Sequence, residues 1–186
     1  MTDVSDKKPR FPGGLTKDQM IDRFLRVDHA GEYGAVRIYQ GQLAVLGDNH
    51  PMSDTIKHMK EQEDVHLERF STLIRERGAR PTILTPLWHV AGFALGAGTA
   101  LLGVKAAMVC TEAVETVIDE HYAAQIEQLG EDETALADEL EKFRLEEVEH
   151  RETAVAHGAH EAPAYGLLSG LIQFGCKAVI KIAERV

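Results

Sequence analysis

Apolar residues recur along this chain at three- and four-residue spacing, the period of a helix that buries one face. No segment alternates with the period of two expected of a half-buried strand. Helix breakers divide the pattern. A first predicted helix runs from about Thr16, a suitable N-cap, to Leu46, and Gly47-Asp48-Asn49-His50-Pro51 ends it. A second runs from about Ser53 to Arg77, closed by Gly78 and Pro81. A long apolar stretch opens at Pro86 and passes into a third helix ending near Leu129-Gly130. A fourth runs from about Glu133 to His157, before Gly158. A fifth starts near Pro163, which suits a first helical turn, and continues to the C-terminus. The fold class expected is all-α, with a four-helix bundle at its centre.

Acids interrupt the core-facing seams of these helices. The first seam reads Ile21, Leu25, Asp28, Glu32, Ala35, Tyr39, Leu43, Leu46, and the second Ile56, Met59, Glu63, His66, Phe70, Leu73. The third reads Met108, Thr111, Glu115, Ile118, Tyr122, Leu129, and the fourth Leu136, Leu140, Phe143, Glu147, His150, Ala154. Glu61, Glu112, Glu146 and Glu149 lie mostly off the seams. An uncompensated buried carboxylate is very costly. Four in one core would repel each other and take up protons. Two divalent cations resolve this, because they balance the four negative charges and two neutral imidazoles complete the shell.

The constellation also occurs twice. Glu32 precedes Glu63-Asp64-Val65-His66, and Glu115 precedes Glu147-Val148-Glu149-His150, with offsets of 31 and 32 residues. Glu-x-x-His alone is weak, since 9 His and 19 Glu in 186 residues give about one match by chance. The repeat and the seam together carry the weight. Aligning Glu63 on Glu147 puts His66 on His150 and Gln62 on Glu146, and aligning Glu32 on Glu115 puts Tyr39 on Tyr122. One Glu and one Glu-x-x-His from each half is the ligand set of a carboxylate-bridged di-metal centre in a helical bundle. The metal ligands expected are Glu32, Glu63, His66, Glu115, Glu147 and His150, with Glu63 and Glu147 bridging and Glu32 and Glu115 terminal. Mixed carboxylate and imidazole donors suit iron or manganese. Tyr122 is a candidate for lining the oxygen or substrate pocket, against plain core packing. Asp28 and Asp119 are candidates for orienting the ligand histidines, against capping or salt-bridge roles. His29, His58, His157 and His160 read as surface or structural. Trp88 and Tyr165 read equally as interfacial anchors or packing residues.

Composition narrows the partners. The net charge of −10 and the lack of a Lys/Arg cluster argue against nucleic acid. Cys110 and Cys176 form no Cys-x-x-Cys pair, which fits a reducing compartment and argues against a zinc ribbon or a rubredoxin-type iron site. Residues 1–16 read as a flexible N-terminal tail without a secretory h-region, and 17–186 as one domain. Residues 87–104 contain no Asp, Glu, Lys or Arg, and include Gly92 and Gly96 at a spacing that favours close helix packing. That length is borderline for crossing a bilayer. The fifth helix carries Leu167, Leu168, Leu171, Ile172, Phe174, Val179 and Ile180, with Lys177, Lys181 and Arg185 near its end. Both segments are expected to make peripheral membrane or lipid contact as a hairpin, against a plain buried bundle helix for residues 87–104.

The string Arg26-Val27-Asp28-His29-Ala30-Gly31-Glu32-Tyr33-Gly34-Ala35 resembles the first ligand helix of the demethoxyubiquinone hydroxylases. Glu63 to His66, Ala113-Val114-Glu115 with His121-Tyr122, Phe143-Arg144 through His150, and Ala162-Pro163-Ala164-Tyr165 with Gly175-Cys176 follow in that family's order. The resemblance covers about residue 17 to the end and all six ligand positions. It implies a ferritin-like di-iron monooxygenase of ubiquinone biosynthesis, with two iron ions and the same six ligands. The implied substrates are O₂ and a demethoxyubiquinol with a polyprenyl tail, and reducing equivalents come from NADH or the quinol. No Gly-x-Gly-x-x-Gly fingerprint is present. The short start is expected of a bacterial member, held peripherally at the cytoplasmic face of the cell membrane. A homo-oligomer or an accessory lipid-binding protein is left open. The rival readings are a ferritin- or rubrerythrin-like iron-oxidising or peroxide-detoxifying protein, and a non-catalytic membrane scaffold.

Overall fold

A computed structural model describes residues 14–186, so the proposed tail lies outside the described residues except for its last three positions. Among the described residues six α-helices form: α1 (Lys17–Leu46), α2 (Ser53–Arg77), α3 (Thr85–Leu101), α4 (Val104–Leu129), α5 (Thr134–Ala156) and α6 (Tyr165–Ala183). Thr16 caps α1 as its sequence suggests, in a capping box with Gln19. Gly78 closes α2 in the left-handed conformation, φ 68°, its N–H reaching Ile74 O.

The single third helix of the sequence reading is two helices. Leu102 and Gly103 separate α3 from α4, and Gly103 has φ 112°, a region that favours glycine. Apolar composition runs unbroken across that joint, so hydropathy alone hides it. The last helix also begins later than expected. Pro163 stays in the preceding turn, and Ala164, at φ 56°, lets the chain enter α6 at Tyr165.

Helices α1, α2, α4 and α5 make the bundle. Cross-helix pairs show antiparallel neighbours: α2 meets α5 through Gln62–His150 and Arg69–Glu139, and the turn that leads into α5 through Arg77–Glu133. α1 meets α4 through Asp28–Gln125, Tyr39–Glu115 and Gln42–Ala107. Two outer helices flank the bundle. α3 runs parallel to α1, with His89 against Tyr33 and Phe93 against Arg37 and Gly41. α6 runs parallel to α4, with Ser169 against Glu112 and Lys177 against Glu120.

The α1–α3 contact is backbone to backbone. A Cβ at Gly96 would overlap the Ile38 carbonyl oxygen, one at Gly41 would overlap that of Phe93, and one at Gly92 would come within 2.9 Å of Gly34 O. The small-residue spacing thus serves close packing, as expected. Trp88 is buried against Val27, Ala30 and Ala183, so it packs instead of anchoring an interface.

Two apolar layers lie inside the bundle. One gathers Ile21, Leu25, Phe70, Leu73, Leu136, Leu140 and Phe143. The other gathers Tyr39, Ile56, Met59, Met108 and Ala154. The seam acids lie between them in sequence on every one of the four helices.

Candidate metal centre

Each of the four bundle helices brings its interrupting residues to one place. Mid-helix turns carry Glu32 on α1, Glu63 and His66 on α2, Glu115 on α4, and Glu147 and His150 on α5. Helical spacing puts the Glu and His of each Glu-x-x-His on the same face. All six side chains are buried, none more than 2% exposed. Their donor atoms form two sets of four, Glu32, Glu63, His66 and Glu147, then Glu63, Glu115, Glu147 and His150, within which all atoms lie within 4.8 Å of one another. Glu63 and Glu147 belong to both sets, and Glu32 and Glu115 to one each.

Both histidines turn Nδ1 inward. His66 Nδ1 lies 3.0 Å from Glu147 Oε1 and 3.4 Å from Glu32 Oε2. His150 Nδ1 lies 3.1 Å from Glu63 Oε1 and 3.1 Å from Glu147 Oε2. Their outward nitrogens meet partners that the seam reading did not assign. His66 Nε2 lies 2.5 Å from Glu146 Oε2, and His150 Nε2 lies 3.0 Å from Gln62 Oε1. Asp28 and Asp119 do not orient these histidines. Asp28 accepts from Gln125 at 2.7 Å and lies 3.5 Å from His121, while Asp119 holds Arg144 and Arg151 at 2.8 and 2.7 Å.

The tyrosines cross between halves. Tyr39 of α1 donates to Glu115 of α4 at 2.9 Å, and Tyr122 of α4 donates to Glu32 of α1. Burial and the neighbouring carboxylates push both phenols well above their ordinary range, so they stay protonated donors. Tyr122 also lines a small cavity of about 20 Å³ with Val27, Asp28, Gly31, Glu32, Ile118, His121 and Ile180. Tyr39 stood on the predicted seam without an assigned role; its alignment with Tyr122 in the repeat was the available signal.

The electrostatics show what the cluster lacks on its own. Burial, followed by the charges of Glu147 and Glu32, drives the Glu63 carboxyl well above its ordinary value, and burial and Glu147 do the same to Glu115. Burial also raises Glu147, but the two histidines outweigh it and hold that carboxyl at about 2. Burial disfavours the His66 cation, yet Glu147 and Glu32 lift it to about 11. Protein groups alone therefore leave the acids competing for protons. Glu32 Oε2, both Glu63 oxygens, His66 Nδ1 and Glu147 Oε1 are buried without a hydrogen-bond partner. Orphaned donor atoms of this kind are rare in native interiors. They converge on two positions, and the residues present fit a pair of metal ions there.

Glu112 departs from expectation. It is buried, accepting from Tyr165 at 3.0 Å and Ser169 at 3.4 Å. Its cover is α6, which the four bundle seams do not register. Tyr165 is thereby a packing and hydrogen-bonding residue.

The chain matches the family described as "Ubiquinone biosynthesis protein COQ7" over residues 19–183. It is 58% identical over 177 residues to "3-demethoxyubiquinol 3-hydroxylase" of Rhodospirillum rubrum, covering 95% of this chain and 84% of the relative. It is 49% identical to the human "NADPH-dependent 3-demethoxyubiquinone 3-hydroxylase, mitochondrial", covering 93% and 83%. It is 41% identical to the Saccharomyces cerevisiae "5-demethoxyubiquinone hydroxylase, mitochondrial", covering 89% and 78%. This chain belongs to the COQ7 family of ubiquinone-biosynthesis proteins.

Proposed function

We propose that this protein hydroxylates the ring of a polyprenylated demethoxyubiquinol as a di-iron monooxygenase, a 3-demethoxyubiquinol 3-hydroxylase. The observation that carries the reading is the pair of overlapping four-residue donor sets, buried on four helices of a chain so similar to named hydroxylases. In this reading Glu63 and Glu147 would serve both iron positions, Glu32 and His66 would complete one, and Glu115 and His150 would complete the other. Residues 17–186 act as one domain. The overall change is balanced as a ring C–H, O₂, two electrons and two protons giving a ring C–OH and water. NADH is the proposed electron donor; the human relative's name carries NADPH, so both belong in the assay.

Bound iron would supply reduction of O₂, and the protein supplies geometry and a dry site. Tyr39 and Tyr122 hold the terminal glutamates from the opposite half. Glu146 and Gln62 fix the imidazoles with Nδ1 inward. The apolar layers above and below keep water out. The cavity beside Glu32 and Tyr122, at about 20 Å³, has room for about one water-sized molecule, and Ile180 of α6 is part of its lining. We place the approach of the substrate there, from beneath α6.

A polyprenyl quinol resides in a bilayer, and the outer helices offer a surface for it. Leu167, Leu171 and Phe174 are 77%, 65% and 73% exposed along one stripe of α6. Leu87, Val90, Leu101 and Leu102 are exposed on and after α3. α6 is long and apolar enough to cross a membrane, by length and composition, and little of it is buried against the rest of the protein. α3, at 17 residues, falls short of the roughly 20 needed. We propose that both lie against the cytoplasmic face of a bacterial cell membrane as a peripheral contact. A second copy or an accessory lipid-binding protein could share that face.

The test is conversion of a short-chain demethoxyubiquinol by reduced, iron-loaded protein under ¹⁸O₂. The reading predicts product carrying one labelled oxygen. Oxygen consumed to water or peroxide without labelled product would favour the iron-oxidising or peroxidase alternative.

A further inference from the structure

The ligands and tyrosines obey the internal two-fold relation. Glu63 corresponds to Glu147, His66 to His150, Glu32 to Glu115, and Tyr39 to Tyr122, and each tyrosine holds the other half's terminal glutamate. The residue before each shared glutamate breaks the relation, because Gln62 stands where the other half has Glu146. Each contacts the histidine of the opposite helix. Glu146 Oε2 lies 2.5 Å from His66 Nε2, and Gln62 Oε1 lies 3.0 Å from His150 Nε2.

When Nδ1 of each ring holds a metal, the ring proton lies on Nε2, which is then the donor. It donates to a carboxylate in one half and to an amide oxygen in the other. A hydrogen bond to an ionised acceptor is roughly twice as strong as a neutral one. It also draws the proton off the ring and makes the opposite nitrogen a better metal donor. Lys142, 3.9 Å from Glu146 and largely exposed, competes weakly for that carboxylate. The shared glutamates serve both positions, and each tyrosine holds one terminal glutamate, so these groups do not separate the two histidines. Asp28, which corresponds to Thr111 in the other half, bonds Gln125 and touches neither ligand histidine.

We propose that the two metal positions are inequivalent, and that Glu146 makes the position of His66 and Glu32 the tighter one, filled first. Gln62 leaves the position of His150 and Glu115 the weaker. This rests on the di-metal reading above. Outer partners of metal-bound histidines are typically worth about 10–100-fold in metal affinity, which sets the preference expected.

The experiment uses the metal-free full chain, ¹⁵N-labelled at histidine, titrated with Zn(II) as a diamagnetic probe. At one equivalent the His66 resonances should shift and those of His150 should not. Glu146→Gln should erase the preference and lower total affinity, while Gln62→Glu should erase it and raise total affinity. General damage to the site would weaken both variants alike, so opposite signs are the diagnostic result. Simultaneous filling of both positions in the wild type, or an unchanged preference in both variants, overturns the proposal. Two equivalent zinc sites would sink only this inference, whereas no zinc binding would sink the di-metal reading with it.

Discussion

Residues 17–101 and 104–183 are two versions of one three-helix unit, and they differ most in their third helix. Each opens with a long helix, α1 or α4, whose Glu32 or Glu115 joins the cluster and whose Tyr39 or Tyr122 reaches the other half's glutamate. A Glu-x-x-His helix follows, α2 or α5, and then an apolar helix parallel to the first, α3 or α6. α3 is locked to α1 by backbone contact at Gly41, Gly92 and Gly96. The glycines of α6, Gly166, Gly170 and Gly175, would meet nothing within 4 Å if given a Cβ. α6 is held by a few side chains, among them Tyr165 and Ser169 on Glu112, and Ile172 against Cys110 and Val114. The centre constrains the first two helices of each unit through its ligands. It does not constrain the third, so one copy can brace the bundle while the other lies loosely over it with an apolar outer face.

The comparison breaks first at the shared ligands. Glu63→Ala and Glu147→Ala should each abolish two-metal binding and cut turnover by about three orders of magnitude or more, since one carboxylate serves both halves. Elemental analysis beside a turnover assay reads both effects. Normal metal content in either variant would contradict the bridging roles.

The helix contacts should separate the outer helices in opposite directions. Gly96→Ala forces α3 off α1 and should cost about 2–3 kcal/mol. Gly170→Ala has open space and should be neutral or stabilise α6 by up to about 1 kcal/mol. Urea unfolding of both variants measures the difference, and equal effects would refute the contrast.

Metal-free protein should also lose stability as pH rises. Folding raises the Glu63 and Glu115 carboxyls above their ordinary 4.5, so their favourable contribution is full below that value and fades as pH climbs through the folded values. His66, raised from 6.5 to about 11, acts in the same direction above its ordinary value. Glu147, lowered to about 2, acts oppositely, but only below about pH 4.5. The unfolding midpoint of metal-free protein should therefore fall between about pH 5 and about pH 8, and metal should flatten that slope. A flat profile without metal would contradict the account of the acids.

The smallest change to the folded protein should come from the outer face of α6. Leu171→Glu with Phe174→Glu should abolish binding to anionic liposomes while metal content and unfolding stay as in the parent. Unchanged liposome binding would remove α6 from the membrane reading.

The seam acids were legible because a carboxylate on an apolar helical stripe is anomalous at the level of spacing alone. Glu32, Glu63, Glu115 and Glu147 all stand where a leucine would be ordinary, and the repeat pairs them without any knowledge of the fold. The joint at Gly103 was not legible, because hydropathy is continuous across it and only the backbone angle marks it. The partners of the histidines were hidden for another reason. Gln62 and Glu146 sit beside the seams and reach neighbouring helices, so their roles depend on helix rotation. Glu112 lay off the bundle seams, and its burial comes from α6, a helix outside the bundle pattern.

The most direct measurement is Mössbauer spectroscopy with elemental analysis of protein reconstituted with ⁵⁷Fe. The account predicts two irons per chain, magnetically coupled through the shared Glu63 and Glu147. One iron, no iron, or two uncoupled irons would contradict it.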